Sequence, residues 1–277
     1  MLKITNNNVD KINTRVSELL GEIKKQKPLI HHITNLVVMN DTANVTLFLG
    51  ALPVMAHAHE EMEEMTKNAG ALVLNIGTLT EYWIEAMLLA GAVANKKGIP
   101  IVLDAVGAGA TSYRTKTCEQ LMEKLHISVI KGNAGEIGIL SGAGGKVRGV
   151  ESVGSSIDLV SAVKKYAAKT KATVIATGKR DIVSDGKIVY VVDNGNSWLP
   201  RITGTGCMST TAVAAFCAVD HDQALASAGA LACFGLAAEL AVKKKIEGPA
   251  SFKVAFLDAI YNMDERTLAA GAKITEI

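Results

Sequence analysis

From Ala71 onward, short apolar runs alternate with stretches of helical periodicity, and this alternation restricts the fold more than any other feature of the sequence. Ala71–Ile76 and Ile101–Leu103 have the length and composition of buried strands, and Glu81–Lys97, between them, has the pattern of a helix that ends at Gly98. Strands that alternate with helices form a mostly parallel sheet with helices on both faces. The sequence therefore predicts an α/β fold of this kind.

The composition agrees with a core of aliphatic side chains. Hydrophobic residues make up 49% of the 277-residue chain but aromatic residues only 4%, so that Ala, Val, Ile, Leu and Met have to fill the core, as in parallel sheets covered by helices. No linker rich in Pro, Gly or Ser and no abrupt change in composition divides the chain, and its length suits one large domain. We therefore expect residues 1–277 to form a single domain.

The remaining elements follow from the same patterns. An amphipathic helix at Val9–Lys25 opens the chain, the strand Leu29–Ile33 follows, and Asp185-Gly186 between two apolar runs predicts a β-hairpin. Of the adjacent His31 and His32, we expect one to be buried and one exposed. Further helices are predicted at Thr117–Leu125, Thr205–Val219, Gln223–Lys244 and Ser251–Ala270.

Charge, cysteine usage and hydropathy exclude several classes of protein. The net charge is +2 with acidic and basic residues interspersed, so that no basic surface for nucleic acid is expected. The four cysteines show neither a disulfide framework nor zinc-finger spacing. The first residues lack the apolar core of a signal peptide, and the uncharged segment Ala224–Ala238 is shorter than the roughly 20 strongly apolar residues of a membrane span. We expect a soluble, cytoplasmic protein without nucleic-acid or membrane partners.

Strand after strand in this pattern ends in polar or glycine residues, which packing alone does not explain. In an open α/β sheet the ligand crevice lies outside the carboxyl ends of the strands. We therefore expect these residues to converge on one edge of the sheet and to bind a ligand there. The segments concerned are Asn75-Ile-Gly-Thr78, Asp104-Ala-Val-Gly-Ala-Gly109, Lys131-Gly-Asn133 and Thr177-Gly178.

The segment Arg201–Ser209 places a glycine-rich turn directly before a helix of small and apolar residues. Gly204 and Gly206 let the backbone bend tightly, and the threonine at position 203 or 205 is expected to cap the helix. The amides of its first turn then form an anion site, and the helix dipole is expected to favour the thiolate of Cys207. The alternative is a plain glycine turn before a core helix with a buried cysteine, and the motif alone favours neither.

The charged residues at the strand ends also have two interpretations each. Asp104 suits a hydrated Mg²⁺, which takes one or two carboxylates plus phosphate oxygens, but an Asx turn or a helix cap would also explain it. Asn133 and Glu136 lie on one face of a helix, where a capping box is the simpler explanation. Lys131 is either a phosphate contact or a solvated lysine.

Taken together, several segments resemble the hydroxyethylthiazole kinases of thiamine salvage, which belong to the ribokinase-like superfamily. They occur in the order of that family, from residue 28 to about residue 219. The resemblance implies one ribokinase-like kinase domain. The matching segments are His32-Ile-Thr-Asn35, Val38-Met-Asn-Asp-Thr-Ala-Asn44, Pro53-Val-Met-Ala-His57, Asn75-Ile-Gly-Thr78, Asp104 through Thr111, Lys131-Gly-Asn-Ala-Gly-Glu136, Thr177-Gly178 and Thr203-Gly-Thr-Gly-Cys207.

The resemblance implies ATP- and Mg²⁺-dependent phosphorylation of the hydroxyl group of hydroxyethylthiazole. It also implies a homotrimer whose active sites lie at subunit boundaries, so that the first strands of one subunit complete the site of its neighbour. The roles that it implies are substrate binding for Asn35, Met55 and Gly204, ATP binding for Lys131 and Thr177, Mg²⁺ and phosphate binding for Asp104 and Glu136, and catalysis, as the base that accepts the hydroxyl proton, for Cys207.

Two residues depart from the pattern of that family, and other functions remain open. Ala105 stands in place of proline, and Lys131 in place of arginine, which replaces a bidentate phosphate contact with a point charge. The other functions are a kinase for another small alcohol such as hydroxymethylpyrimidine, a nucleotide-dependent hydrate dehydratase, and a non-catalytic thiazole-binding protein. Cys207, where most ribokinase-like kinases carry Asp, argues against the first two. The intact set of Asp104, Glu136 and Cys207 argues against the third.

Overall fold

Within residues 6–144 and 156–277, which the computed structural model describes, nine strands form a single sheet. The strands are β1 (Leu29–Ile33), β2 (Leu52–Val54), β3 (Ala71–Asn75), β4 (Ile101–Asp104), β5 (Val129–Asn133), β6 (Thr173–Thr177), β7 (Asp181–Ser184), β8 (Val189–Val192) and β9 (Ile274–Glu276). Their order across the sheet is β2-β1-β3-β4-β5-β6-β7-β8-β9. Strands β1 to β6 pair in parallel, and β7, β8 and β9 extend the sheet with antiparallel pairs. The predicted α/β fold with a mostly parallel sheet is confirmed.

The helices of the described residues cover both faces of this sheet. One face packs against α1, α2 and α8 to α11, and the other against α3 to α7. These helices are α1 (Asn6–Gln26), α2 (Met39–Leu49), α3 (Met62–Asn68), α4 (Glu81–Lys97), α5 (Ser112–Lys124), α6 (Ala134–Leu140), α7 (Ser156–Thr170), α8 (Thr205–Cys217), α9 (Gln223–Ala241), α10 (Pro249–Tyr261) and α11 (Glu265–Gly271).

The central strands are apolar without interruption because both of their faces are buried. Side chains alternate across a strand, so that Val73 and Val102 enter the core beneath α8 and α9, whereas Leu72 and Leu103 enter the opposite core beneath α4 and α5. A strand covered on one face only would carry polar residues at every second position. The continuous apolar runs in the sequence therefore follow from the helices that cover both faces of the sheet.

The structure corrects two predicted helices and adds one strand. Helix α5 begins at Ser112 rather than Thr117, because the side chain of Thr111 caps it by accepting a hydrogen bond from the amide of Arg114, and the polar first turn hides this start. The last predicted helix is two helices, since Asp264 caps α11 through the amide of Thr267. The short edge strand β9 was not predicted, because three residues carry too little periodicity. The sequence also predicts a glycine-rich loop from Gly142 to Gly149, and this segment lies partly outside the described residues.

The prediction of one exposed histidine in β1 is wrong, because β1 lies between β2 and β3 under helices on both faces. His31 and His32 are both fully buried. The ring of His31 hydrogen-bonds the hydroxyl of Thr66 and the carbonyl of Ala56, and that of His32 bonds the hydroxyl of Thr46. Burial lowers the pKa of His32 to about 3, so that its ring is neutral in the folded protein.

Helix α9 is long and apolar enough to cross a membrane by length and composition, yet 83% of its most apolar 18-residue window is buried in the protein. It packs against α1, α8 and α10. Its lack of a polar face, which raised the membrane question in the sequence, follows from this surrounded position.

The neutral, buried His32 predicts a loss of stability in acid. Its pKa is about 3 in the folded state against a reference value of 6.5, so that the unfolded state takes up the proton first. The neutral ring therefore contributes to the free energy of unfolding, and this contribution is fully present above pH 6.5. It is lost at about 1.4 kcal/mol per pH unit as the pH falls towards 3. We expect His32→Gln to flatten the pH dependence of the unfolding free energy, measured by urea titration from pH 7.5 to 5. The exposed His221→Gln serves as the control, and equal slopes in all three proteins would contradict the expectation.

Candidate active site

The polar residues at the strand ends converge on one edge of the sheet, as the sequence predicts. Asn75, at the end of β3, is paired in register with Asp104 at the end of β4, and Asp104 is paired with Lys131 in β5. Asn133 and Thr177 form the corresponding pair at the ends of β5 and β6. The parallel direction of these strands places all five residues on the same side.

The carboxylate of Asp104 is buried and held by side chains from two other elements. One oxygen, Oδ2, accepts hydrogen bonds from Asn75 Nδ2 and from Thr210 Oγ1 of α8, each at 2.7 Å. The other oxygen, Oδ1, lies 4.0 Å from the ammonium nitrogen of Lys131. These partners differ from the backbone amides that an Asx turn or a helix cap would supply.

Lys131 lies beneath the first turn of α8. Only 2% of its surface is exposed, and its Nζ donates a 2.9 Å hydrogen bond to the carbonyl of Gly206. The alternative of a solvated lysine is therefore wrong. Asp104, and not bulk water, balances the charge of Lys131. The side chain of Lys131 links β5 to the glycine-rich turn.

Glu136 caps its own helix and also binds the loop that follows β4. Asn133 and Glu136 form the expected capping box, in which Glu136 Oε2 accepts a 2.7 Å hydrogen bond from the amide of Asn133. The second oxygen, Oε1, accepts a 2.7 Å bond from the amide of Gly107. Burial raises the pKa of this carboxyl above its usual range despite the two amide donors, and the neighbouring Asp104 adds to the rise.

The start of α8 keeps its first-turn amides free of a side-chain cap. Gly204 is the N-cap with φ +85°, and the hydroxyl of Thr205 donates back to the carbonyl of Leu199. The predicted threonine cap is therefore wrong: no side chain in the described part of the chain caps α8. The first-turn N–H groups have no intrahelical acceptor, which is compatible with an anion site, and that site stays a prediction.

Cys207 lies in this first turn as a buried thiol. Its sulfur is 3.4 Å from Asn35 Nδ2, whose other contact is Asn75 Oδ1 at 2.8 Å. Burial, and next the charge of Asp104, raise the pKa of Cys207 to about 12, although Asn75, Lys131 and Asn35 act in the opposite direction. The expectation of a dipole-stabilised thiolate is thus wrong. Desolvation outweighs the helix dipole here.

Two of the predicted site residues lie at the margin of this network. Met55 is half-buried just beyond β2, the edge strand of the sheet. Thr177 is half-buried at the end of β6, where its hydroxyl donates to the carbonyl of Gly132 at 3.3 Å. The structure brings Asn35, Asp104, Lys131 and Cys207 together, with Glu136 and Gly204 beside them.

The sequence analysis gives neither Asn75 nor Thr210 an individual role, although both contact Asp104. Asn75 belongs to the strand-end segments and was recognisable by its position. Thr210 is hidden in a helix of small and apolar residues, and its contact depends on how α8 is rotated against the sheet. Local sequence carries no signal for that rotation.

Comparison with known proteins agrees with this geometry. The profile of the Hydroxyethylthiazole kinase family matches residues 20–266. The chain belongs to this family. It is 60% identical over 265 residues to the hydroxyethylthiazole kinase of Desulfatibacillum aliphaticivorans, with 96% of this chain and 98% of the relative covered. It is 52% identical over 259 residues to that of Methanocella arvoryzae, with coverages of 94% and 97%.

Two solved structures resemble this chain, one in both sequence and fold and the other in fold alone. The hydroxyethylthiazole kinase protein from Pyrococcus horikoshii OT3 superimposes with a TM-score of 0.88 at 42% identity, over 95% of this chain and 99% of that protein. A pyridoxal kinase from Staphylococcus aureus, solved with AMP-PCP and pyridoxal, has a TM-score of 0.61 at 18% identity over 90% of this chain and 98% of its own. The second likeness concerns the fold alone and is consistent with the ribokinase-like architecture of kinases.

The turn at Gly204 yields a matched pair of substitutions. A Cβ atom at Gly204 would lie 2.3 Å from Val38 Cγ1 and would force an L-residue to φ +85°, so that we expect Gly204→Ala to lower the unfolding free energy by about 1–3 kcal/mol. A Cβ at Gly206 meets nothing within 4 Å, and Gly206→Ala should leave stability unchanged or raise it by up to about 1 kcal/mol. Urea unfolding measures both. Equal effects of the two substitutions would contradict the strain at Gly204.

Proposed function

We propose that this protein transfers the γ-phosphoryl group of ATP to the hydroxyl of 4-methyl-5-(2-hydroxyethyl)thiazole and so supplies thiazole phosphate for thiamine biosynthesis. Membership of the hydroxyethylthiazole kinase family supports this function. The observation that carries it is the uncapped first turn of α8, with Cys207, beside the buried carboxylate of Asp104. Phosphoryl transfer depends mainly on positioning and on neutralising charge, and this edge of the sheet supplies both.

The acids at this edge fit the Mg²⁺ that we propose for the reaction. Asp104 and Glu136 offer carboxylate oxygens, the hard ligands that Mg²⁺ takes together with waters and phosphate oxygens. They lie close enough for Asp104 to raise the pKa of Glu136, and a divalent cation would relieve that repulsion. When bound, the ion neutralises charge on the phosphates of ATP.

The chain's own groups would divide the remaining work. The amides at the start of α8 are free of a side-chain cap and would stabilise the transferring phosphoryl group, and Gly204 would allow close approach because it has no side chain. Lys131 holds the carbonyl of Gly206, and so keeps this turn against β5. We propose Lys131 and Thr177 as ATP-binding residues, with Lys131 acting through its charge from beneath the turn.

Cys207 is placed to receive the proton of the substrate hydroxyl. Asn35 reaches its sulfur and would also border the thiazole alcohol. A base at this position contributes typically about 10²–10⁴-fold to the rate. Since the pKa of the thiol is raised to about 12 without ligands, the thiolate is a minor form at neutral pH and its population limits the base.

We further propose a homotrimer, in which Met55 and the edge of β2 contribute to the substrate site of a neighbouring subunit. Leu36 and Val37 support this arrangement, because both are 63% exposed and directly follow Asn35. Leu52 in β2 is also exposed. Exposed apolar side chains beside a site suit burial at an interface. A monomer in sedimentation equilibrium would contradict this proposal. We place the protein in the cytoplasm, where ATP is available.

A purified protein tests the proposed function directly. ADP release is coupled to a spectrophotometric assay with ATP and Mg²⁺, and with hydroxyethylthiazole, hydroxymethylpyrimidine or no acceptor. We expect turnover with the thiazole and little with the pyrimidine. Turnover mainly with hydroxymethylpyrimidine would contradict the proposal that the thiazole is the substrate. If calorimetry shows that the thiazole binds but no ADP is released, the function is that of a thiazole-binding protein and not of a kinase.

The raised pKa of Cys207 predicts the pH dependence of the reaction. If the thiolate is the base, kcat/KM, which reports the groups of the free enzyme, should rise about tenfold per pH unit between pH 6 and pH 8, because the thiolate fraction rises in this way below the pKa of about 12. Cys207→Asp places a base of far lower intrinsic pKa at the same position, and its kcat/KM should vary less over this range. Cys207→Ala should lose about 10²–10⁴-fold in kcat while thiazole still binds. A fully active alanine variant would remove the base role.

A further inference from the structure

Three adjacent hydroxyl side chains of α8 differ in what they contact. The hydroxyl of Ser209 donates to the carbonyl of Gly206 at 2.7 Å, and that of Thr211 to the carbonyl of Cys207 at 3.5 Å. Such bonds to a preceding carbonyl are the ordinary arrangement within a helix. Thr210 departs from it. Its hydroxyl lies 2.7 Å from Asp104 Oδ2 and 3.2 Å from the carbonyl of Gly206.

The single proton of the Thr210 hydroxyl goes to the carboxylate. A hydroxyl donates only one hydrogen bond, and the charged acceptor at the shorter distance gives the stronger bond. Both groups are buried, so that water does not compete for this proton. Thr210 thus joins α8 to the end of β4 at the charged group itself.

We propose that Thr210, together with Asn75, is a positioning residue that fixes which oxygen of Asp104 faces the ligands. The proposal rests on the proposed function, in which Asp104 binds Mg²⁺. Thr210 is fully buried, so that it acts through Asp104 and not by touching a substrate. Its role is to hold Oδ2 and to leave Oδ1 as the oxygen available to the ion.

The amide of Asn75 has only one orientation that satisfies its neighbours. Its Oδ1 accepts hydrogen bonds from the amide of Gly77 at 2.9 Å and from Asn35 Nδ2 at 2.8 Å. The amide of Gly77 can only donate, so Oδ1 has to face it, and Nδ2 is left to donate to Asp104 Oδ2 at 2.7 Å. The two donors on Oδ2 therefore come from fixed groups on β3 and α8.

The two oxygens of Asp104 are consequently unequal. Oδ2 carries two charge-assisted hydrogen bonds, whereas the contact of Oδ1 among the described side chains is Lys131 Nζ at 4.0 Å. A rotation of the carboxylate would break both bonds on Oδ2 inside the protein, which is costly for a buried charge. Loss of one donor weakens this restraint without removing a ligand, and the loss of such an outer partner lowers metal affinity by about 10- to 100-fold.

The test compares Thr210→Val with Thr211→Val. Both residues are fully buried threonines of α8, both substitutions remove one hydroxyl with little change in shape, and only Thr210 reaches Asp104. Binding of Mn²⁺ in place of Mg²⁺ is measured by electron paramagnetic resonance in the presence of ADP. We expect the dissociation constant to rise about 10- to 100-fold in Thr210→Val. It should stay within about threefold in Thr211→Val, and Thr210→Ser should restore it.

Kinetic measurements and the serine variant separate the possible outcomes. The Mg²⁺ concentration for half-maximal rate should rise with the Mn²⁺ dissociation constant, whereas the KM for the thiazole should change little. Equal Mn²⁺ affinities in the two valine variants, or a loss in Thr210→Val that Thr210→Ser does not restore, would overturn the proposal. If the wild-type protein does not phosphorylate the thiazole, the proposed function fails, but Mn²⁺ binding with ADP still decides the role of Thr210.

Discussion

A carboxylate at the end of a buried strand requires donors to replace the water that it loses, and the arrangement around Asp104 depends on this requirement. Its donors come from β3, from α8 and, through the charge of Lys131, from β5. The same lysine binds the turn that precedes the body of α8. Asp104 and Lys131 therefore link the strand ends to the first turns of α8.

The protonation state of Cys207 shows how two electrostatic effects compete. The start of a helix stabilises a thiolate by an amount that is small when the turn is exposed, typically 0.3–1 kcal/mol. Burial and the nearby Asp104 act in the opposite direction and raise the pKa of the thiol to about 12. An aspartate at the same position would carry its charge more readily, because its intrinsic pKa is far lower. In the base role that we propose for Cys207, proton transfer is therefore limited by the raised pKa of the thiol.

What the sequence predicted well is what local rules govern. The parallel sheet follows from periodicity, and the convergence of Asn75 and Asp104 follows from the rule for the carboxyl ends of parallel strands. The burial of Lys131, the contact of Thr210 and the pKa of Cys207 depend on how elements pack over long distances in sequence. His32 belongs with these, since only the strand order places β1 inside the sheet. The functional roles of all the predicted site residues rest on family resemblance and stay predictions; these residues are Asn35, Met55, Asp104, Lys131, Glu136, Thr177, Gly204 and Cys207.

The burial of Cys207 also has a consequence for the chemistry of the cell around it. Oxidants and electrophiles attack cysteine as the thiolate, and they need access to the sulfur. Cys207 is 9% exposed and protonated at neutral pH, and Cys118, Cys217 and Cys233 are buried as well. A thiol that serves as a base, as we propose for Cys207, would ordinarily make an enzyme sensitive to peroxide. Here the burial that raises the pKa of the thiol also shields the sulfur, so that we expect oxidants to react with it more slowly than with an exposed thiolate.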